Sequence, residues 1–149
     1  MPDFVIKSKS CETDIFYFEF KCIFKPFIKV NSKILNYQCY SHSLSLDCDE
    51  KLARQFKLIE SKKIMNRTAF VYWYDIPCIK GVFWMWAQNV KHLWNESPSY
   101  SREITRGDYQ NGRKTGYTDK IYLAFPLLND FYSLFSTINL IAKNEIHVL

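Results

Sequence analysis

The chain has 149 residues, of which 48% are apolar, 17% aromatic and 23% charged, with a formal charge of +5. That length is close to the commonest domain size and can bury a full core, so a single domain spanning 1–149 is expected. The aromatic content excludes a largely disordered chain, and the modest positive charge permits a polyanionic or acidic partner without requiring one.

The opening Met1-Pro-Asp-Phe-Val-Ile-Lys7 lacks a basic leader followed by an apolar stretch. The longest apolar run, Val82 to Ala87, is far too short to span a bilayer. Cys11, Cys22, Cys39, Cys48 and Cys78 are odd in number and show no Cys-x-x-Cys spacing, which reads as reduced thiols. A cytoplasmic protein that does not engage a membrane is expected.

In chain order, Phe4 to Lys7 reads as a short strand. Asp14 to Phe24 follows, with Phe16, Phe18, Phe20, Cys22 and Phe24 on one side and Tyr17, Glu19 and Lys21 on the other. Pro26 stops it. Phe27–Val30 and Ile34–Leu46, joined at Asn31-Ser-Lys33, extend the first third into an antiparallel meander. Asp47 and Glu50 have capping-box spacing ahead of Leu52, Ala53, Phe56 and Ile59, so a helix runs from about Asp49 to Lys63.

Ala69 to Ala87 holds two aromatic strands around a reversal at Asp75–Gly81. Both faces of each are apolar, which places the pair at the centre of the fold with Trp73 buried. A short helix is expected at Gln88–Trp94. From Asn95 to Lys120 the chain turns polar, and Asn111-Gly112 is a strong signal for a two-residue hairpin turn, with Gly107 suited to a bulge. After a strand at Lys120–Phe125, Pro126 opens a helix to Lys143. Its expected apolar face holds Leu127, Leu128, Phe131, Leu134, Phe135, Ile138 and Ile141. Ile146–Leu149 is a last strand or a chain end. The fold class is α+β: a single domain with a mainly antiparallel β-sheet packed against two amphipathic helices.

Sites are sparse. His42, His92 and His147 lie far apart, and Cys39-Tyr-Ser-His42 with Cys48 lacks a fourth ligand at zinc spacing. Asp47, Asp49 and Glu50 are accounted for by helix capping. No glycine-rich phosphate loop or nucleophile elbow is present. The hairpin region offers a candidate binding surface: Tyr100, Arg102, Arg106, Tyr109, Arg113, Lys114 and Tyr117, residue types that anchor protein interfaces and also stack on bases and pair with phosphates.

Pro2-Asp3 together with Glu19-Phe-Lys21 forms a second constellation. It resembles the Pro-Asp…Glu-x-Lys pattern of restriction-like nucleases, over the first 21 residues alone. The resemblance implies that Asp3 and Glu19 hold Mg²⁺ and that Lys21 helps to activate water, the logic of metal-assisted hydrolysis.

The first expectation is a non-enzymatic protein without cofactor or metal that binds and occludes a partner protein, of the immunity, antitoxin or anti-defence kind. This rests on size and sparse chemistry. The alternatives are a nucleic-acid-binding module using the hairpin, and a metal-dependent nuclease using Asp3, Glu19 and Lys21. Oligomeric state is left open.

Overall fold

A computed structural model describes residues 2–9, 12–24, 44–47, 50–77, 79–96, 102–106, 109–110, 113–114, 117–123 and 125–146. Of these, 44–47, 50–51, 102–106, 109–110, 113–114, 117–122, 126 and 144–146 are described by backbone alone. The expected segments Phe27–Val30 and 34–43, the Asn31-Ser-Lys33 turn, Cys39, His42, Cys48, Asp49, Tyr100, Gly107, Asn111, Gly112 and 147–149 lie outside the described residues.

The fold is α+β, built on a five-stranded mixed sheet. Strand β1 (Phe4–Lys7) pairs antiparallel with β2 (Asp14–Ile23), in register Phe4 with Phe18. On its other side β2 runs parallel to β4 (Thr68–Ile76), from Tyr17 beside Thr68 to Ile23 beside Tyr74. β4 turns into β5 (Ile79–Trp86), pairing Ala69 with Trp86 through to Ile76 with Ile79, and the short β10 (Asn129–Asp130) closes the far edge. The aromatic strands are thus adjacent and antiparallel as the sequence indicates, with a turn tighter than expected. Gly81, opposite Tyr74, has φ of 149°, which L side chains rarely adopt.

The meander of the first third is corrected. β3 (Leu44–Asp47) joins a separate sheet with β9 (Tyr117–Leu123) and β6 (Arg102–Arg106), in the order β3-β9-β6. Parallel strands need a long crossover, and α1 (Glu50–Ser61) lies within the connection from β2 to β4.

Helix α1 ends in a Schellman motif. The Lys63 N–H donates to the Glu60 carbonyl (2.9 Å) and the Ile64 N–H reaches back to the Ile59 carbonyl (3.1 Å). Lys63 carries the positive φ of 56° that this motif demands, and Ile59 and Ile64 close the cap inside the core. Just beyond it, the buried Thr68 hydroxyl donates to the Ile64 carbonyl at 2.7 Å.

The sheet is covered on both faces. One face carries Phe70, Tyr72, Tyr74, Ile76 and Met85, under Leu52, Phe56 and Ile59 of α1 and Val90 of α2 (Ala87–Glu96). α2 occupies the region expected for Gln88–Trp94. Lys91 of α2 and Glu60 of α1 form an ion pair. The other face carries Phe16, Ala69, Val71 and Trp84 beneath Leu134 of α3 (Phe131–Ile146), with Phe18, Phe20, Ile138 and Ile141 packed against them. β2 therefore divides as its alternation indicates, the phenylalanines toward α3 and the Glu19 side toward α1.

Three expectations are corrected here. Trp73 is 46% exposed, because the core beneath α3 ends around Val71 and Val82 and none of the described helices packs over the strand beyond them. Pro126 does not open the last helix: it lies in a 3-10 turn, Phe125–Leu127, and β10 intervenes. Asp130 starts the helix instead, its carboxylate accepting the Ser133 N–H at 2.8 Å in the manner of an N-cap. The Trp84 indole N–H donates to the Asp130 carbonyl and the Ser133 hydroxyl, both at 2.9 Å, which ties that first turn to the sheet. Lastly, α3 packs through Leu134, Ile138 and Ile141 while Leu127, Phe131 and Phe135 of the expected apolar face are exposed.

Phe16→Ala should destabilise by about 3–5 kcal/mol, as large-to-small changes at fully buried aromatics do. Trp73→Ala should cost only roughly 1–2 kcal/mol, since half of the ring is already in water. Urea unfolding of the two variants checks the order, and an equal or larger loss at Trp73 would contradict the arrangement. Lys63→Gly should stabilise by roughly 0.5–1 kcal/mol, because glycine meets no Cβ penalty at an αL position. A lower melting temperature for that variant would count against the cap.

Candidate active site

Asp3 and the Glu19–Lys21 segment come together at the β1 end of the sheet. The Phe20 N–H donates to Asp3 Oδ2 at 2.9 Å, bridging 17 positions of sequence. Phe4 pairs with Phe18, so continuing the antiparallel register by one step sets Asp3 across from Glu19. Opposed residues of an antiparallel pair share a face, and Phe4 lies on the face of Phe18 and Phe20, with its ring edge-on to Phe20 at 5.9 Å. Asp3 thereby falls on the Glu19 side. The hydrogen bond occupies one carboxylate oxygen, and a carboxylate has lone pairs enough for further partners.

Glu19 is partly buried and Lys21 exposed, on successive outward positions of the same strand face. Along the parallel ladder Glu19 sits beside Phe70 and Lys21 beside Tyr72. Glu19 also lines a small pocket with Pro2, Gln55 of α1, Thr68 and Phe70. The N-terminal segment, β2 and the crossover helix thus meet beside Glu19, with Pro2 and Gln55 on the pocket wall and Asp3 and Lys21 at neighbouring positions of the sheet.

Two residues of this neighbourhood escaped the sequence reading. Gln55 had a legible signal, since it interrupts the apolar stripe of Leu52, Phe56 and Ile59 with a polar side chain. In the sequence Tyr72 stands out only as an aromatic of a central strand. It is 1% exposed, and its hydroxyl has no hydrogen-bond partner among the described residues. Burial first, then the neighbouring Tyr74 and the Glu19 carboxylate, push its ionisation well above the usual tyrosine range. Burial likewise raises Tyr74.

The hairpin residues are placed only by their backbone. Arg102 and Arg106 lie on β6, and Tyr117 on β9, where Arg106 faces Tyr117. Tyr109 on β7 (Tyr109–Gln110) faces Lys114 on β8 (Arg113–Lys114), and Gln110 faces Arg113, so two residues separate the arms as Asn111-Gly112 indicates. Of the acidic cluster, Asp47 pairs with Lys120 across β3 and β9. Among the described residues no three His, Cys, Asp or Glu side chains group as a metal cage, and no helix is long and apolar enough to cross a membrane.

The raised tyrosines set a pH dependence. Unfolding returns both phenols to about 10.0. Above that pH the unfolded chain releases protons that the folded chain retains, so folding stability falls as pH rises. The contribution of these two phenols to stability should be constant below about pH 10 and fall above it, so a Tyr72→Phe/Tyr74→Phe double variant should decline less steeply there. Urea titrations from pH 8 to 11, as an approximate range around that value, measure the slope. Identical slopes would remove the two phenols as its cause.

No family model matches the sequence, and no curated protein does either. Among solved structures, that of D212, a nuclease from a fusselovirus, is similar, with a TM-score of 0.51 at 8% identity. The match covers 94% of this chain and 66% of that one, so this chain spans just under two thirds of its length. At that identity the likeness is one of fold.

Proposed function

We propose that the chain is a divalent-cation-dependent nuclease acting through Asp3, Glu19 and Lys21. One observation carries the reading: the Phe20 N–H to Asp3 hydrogen bond at 2.9 Å, which draws together two motif halves that the sequence separates by 15 residues. Further support comes from the Pro-Asp…Glu-x-Lys pattern and from a fold similar to that of D212, described as a nuclease.

The donor set fits Mg²⁺, a hard cation that is commonly held by one or two carboxylates with water and substrate phosphate completing its shell. Asp3 and Glu19 would supply those carboxylates. When bound, the ion supplies a water of lowered pKa and charge neutralisation at the phosphate. Lys21 orients the attacking water and offsets the negative charge that builds on the phosphoryl oxygens. Pro2 and Gln55 line the pocket beside Glu19. A net charge of +5 favours approach of a polyanion.

Two other readings rank below this one. A partner-blocking protein and a nucleic-acid module both draw on hairpin side chains, and no described contact favours either.

The test is cleavage of single- and double-stranded DNA and of RNA, with Mg²⁺ or Mn²⁺ and with EDTA. Cleavage should require the cation. Asp3→Asn, Glu19→Gln and Lys21→Ala should each lower it by about a hundredfold or more with unchanged melting, since losing a mere support of a ligand already costs about ten- to a hundredfold. Cleavage that survives EDTA and Glu19→Gln, or no cleavage of any of the three substrates, would overturn the proposal.

A further inference from the structure

Tyr72 poses a physical problem that the proposed site can resolve. Its ring is packed among the aromatics beneath α1, where phenylalanine would fill the same space. Its hydroxyl is nevertheless buried, and no described group accepts or donates to it. A buried hydroxyl without a partner is destabilising relative to its absence, so a packing role alone gives no reason for the oxygen.

The surroundings indicate what the oxygen is near. Tyr72 lies beside Lys21 on the parallel ladder, one alternation beyond the Phe70–Glu19 pair, and on the same sheet face as Glu19. Tyr72 and Glu19 are thus diagonal neighbours across adjacent strands, a separation that a long aromatic side chain can span. The phenol keeps its proton throughout the neutral range and is available as a donor.

We infer that Tyr72 is a positioning residue for Glu19: its hydroxyl donates to that carboxylate, directly or through one water, when Glu19 turns to hold a divalent cation. The inference rests on the nuclease reading of Asp3 and Glu19. A ligating carboxylate presents lone pairs beyond those the metal takes, and a donor on them fixes its orientation and lowers the cost of binding. Binding then gives the phenol a partner that it lacks among the described residues, and Tyr72 contributes to affinity without touching the ion or the substrate.

Calorimetric titration of the full chain with Mn²⁺ tests this, using wild type, Glu19→Gln and Tyr72→Phe, each also melted without cation. Wild type should bind Mn²⁺ and Glu19→Gln should not. Tyr72→Phe should melt at the wild-type temperature or higher, yet bind Mn²⁺ about tenfold more weakly. In the wild type, Mg²⁺ should move the Tyr72 hydroxyl proton downfield in the NMR spectrum, a readout that does not depend on how the variant folds. Equal Mn²⁺ affinity in wild type and Tyr72→Phe, or a hydroxyl proton unmoved by Mg²⁺, overturns the positioning role and leaves the nuclease reading standing. A wild type that binds no Mn²⁺ overturns both.

Discussion

The parallel pairing of β2 with β4 is the constraint on which the molecule depends. Parallel neighbours cannot be joined by a tight turn, so a long connection has to rise over the sheet, and α1 belongs to it. The pairing also makes β2 an interior strand, flanked by β1 and β4, with phenylalanines locked beneath α3 on one side. A strand held on both edges and one face has no freedom to slip, since a one-residue shift would drive Phe16 into the α1 layer and Glu19 into the apolar layer under α3. Glu19 and Lys21 therefore have a defined address, and the N-terminal segment needs only four paired residues and one side-chain hydrogen bond to deliver Asp3 to it.

Much of this was legible before any coordinates, and the misses share a cause. The alternation of β2, the aromatic pair, α1, α2 and the hairpin arms follow from local periodicity and turn chemistry, which act over a few residues. The β2–β4 pairing does not. Nothing in Asp14–Ile23 says whether its partner lies next in the chain or fifty residues on, and a run of short strands invites an antiparallel meander. Trp73 illustrates the same limit: two-faced apolarity marks a central strand, but how far a helix extends over it depends on where that helix begins. Asp130 decided that point. A capping aspartate competed with the proline signal at Pro126 and won, because β10 must first pair with Phe83 and Trp84. At the site, Asp3, Glu19 and Lys21 could be named from spacing, whereas Tyr72 could not, since only its burial and an oxygen without a partner among the described residues separate it from the other aromatics of β4.

The two layers flanking the sheet differ in kind. Beneath α1 and α2 the core is thick and interleaves aromatic rings, with Phe56 stacked on Trp94 at 5.6 Å and edge-on contacts linking Tyr74, Phe83 and Phe125. Beneath α3 it is a narrow seam around Phe16, Trp84 and Leu134, anchored by one indole hydrogen-bonded to the start of the helix. Polar chemistry sits on the thicker side, which holds a buried phenol without a partner among the described residues and shapes a pocket around Glu19.

The brevity of β1 carries a dynamic consequence. It is an edge strand of four residues whose register shifts between Ile6 and Lys7, and exposed edges of this length open locally at far smaller free energy than the body of a sheet. Asp3 rides on that edge, whereas Glu19 is anchored within. One half of the carboxylate pair therefore belongs to an edge of the described sheet and the other to an interior strand. Under the proposed reading, warming would disperse the pair well before the fold melts. Catalytic competence would then be an equilibrium between docked and frayed forms of one strand, separable by amide exchange from the stability of the protein itself.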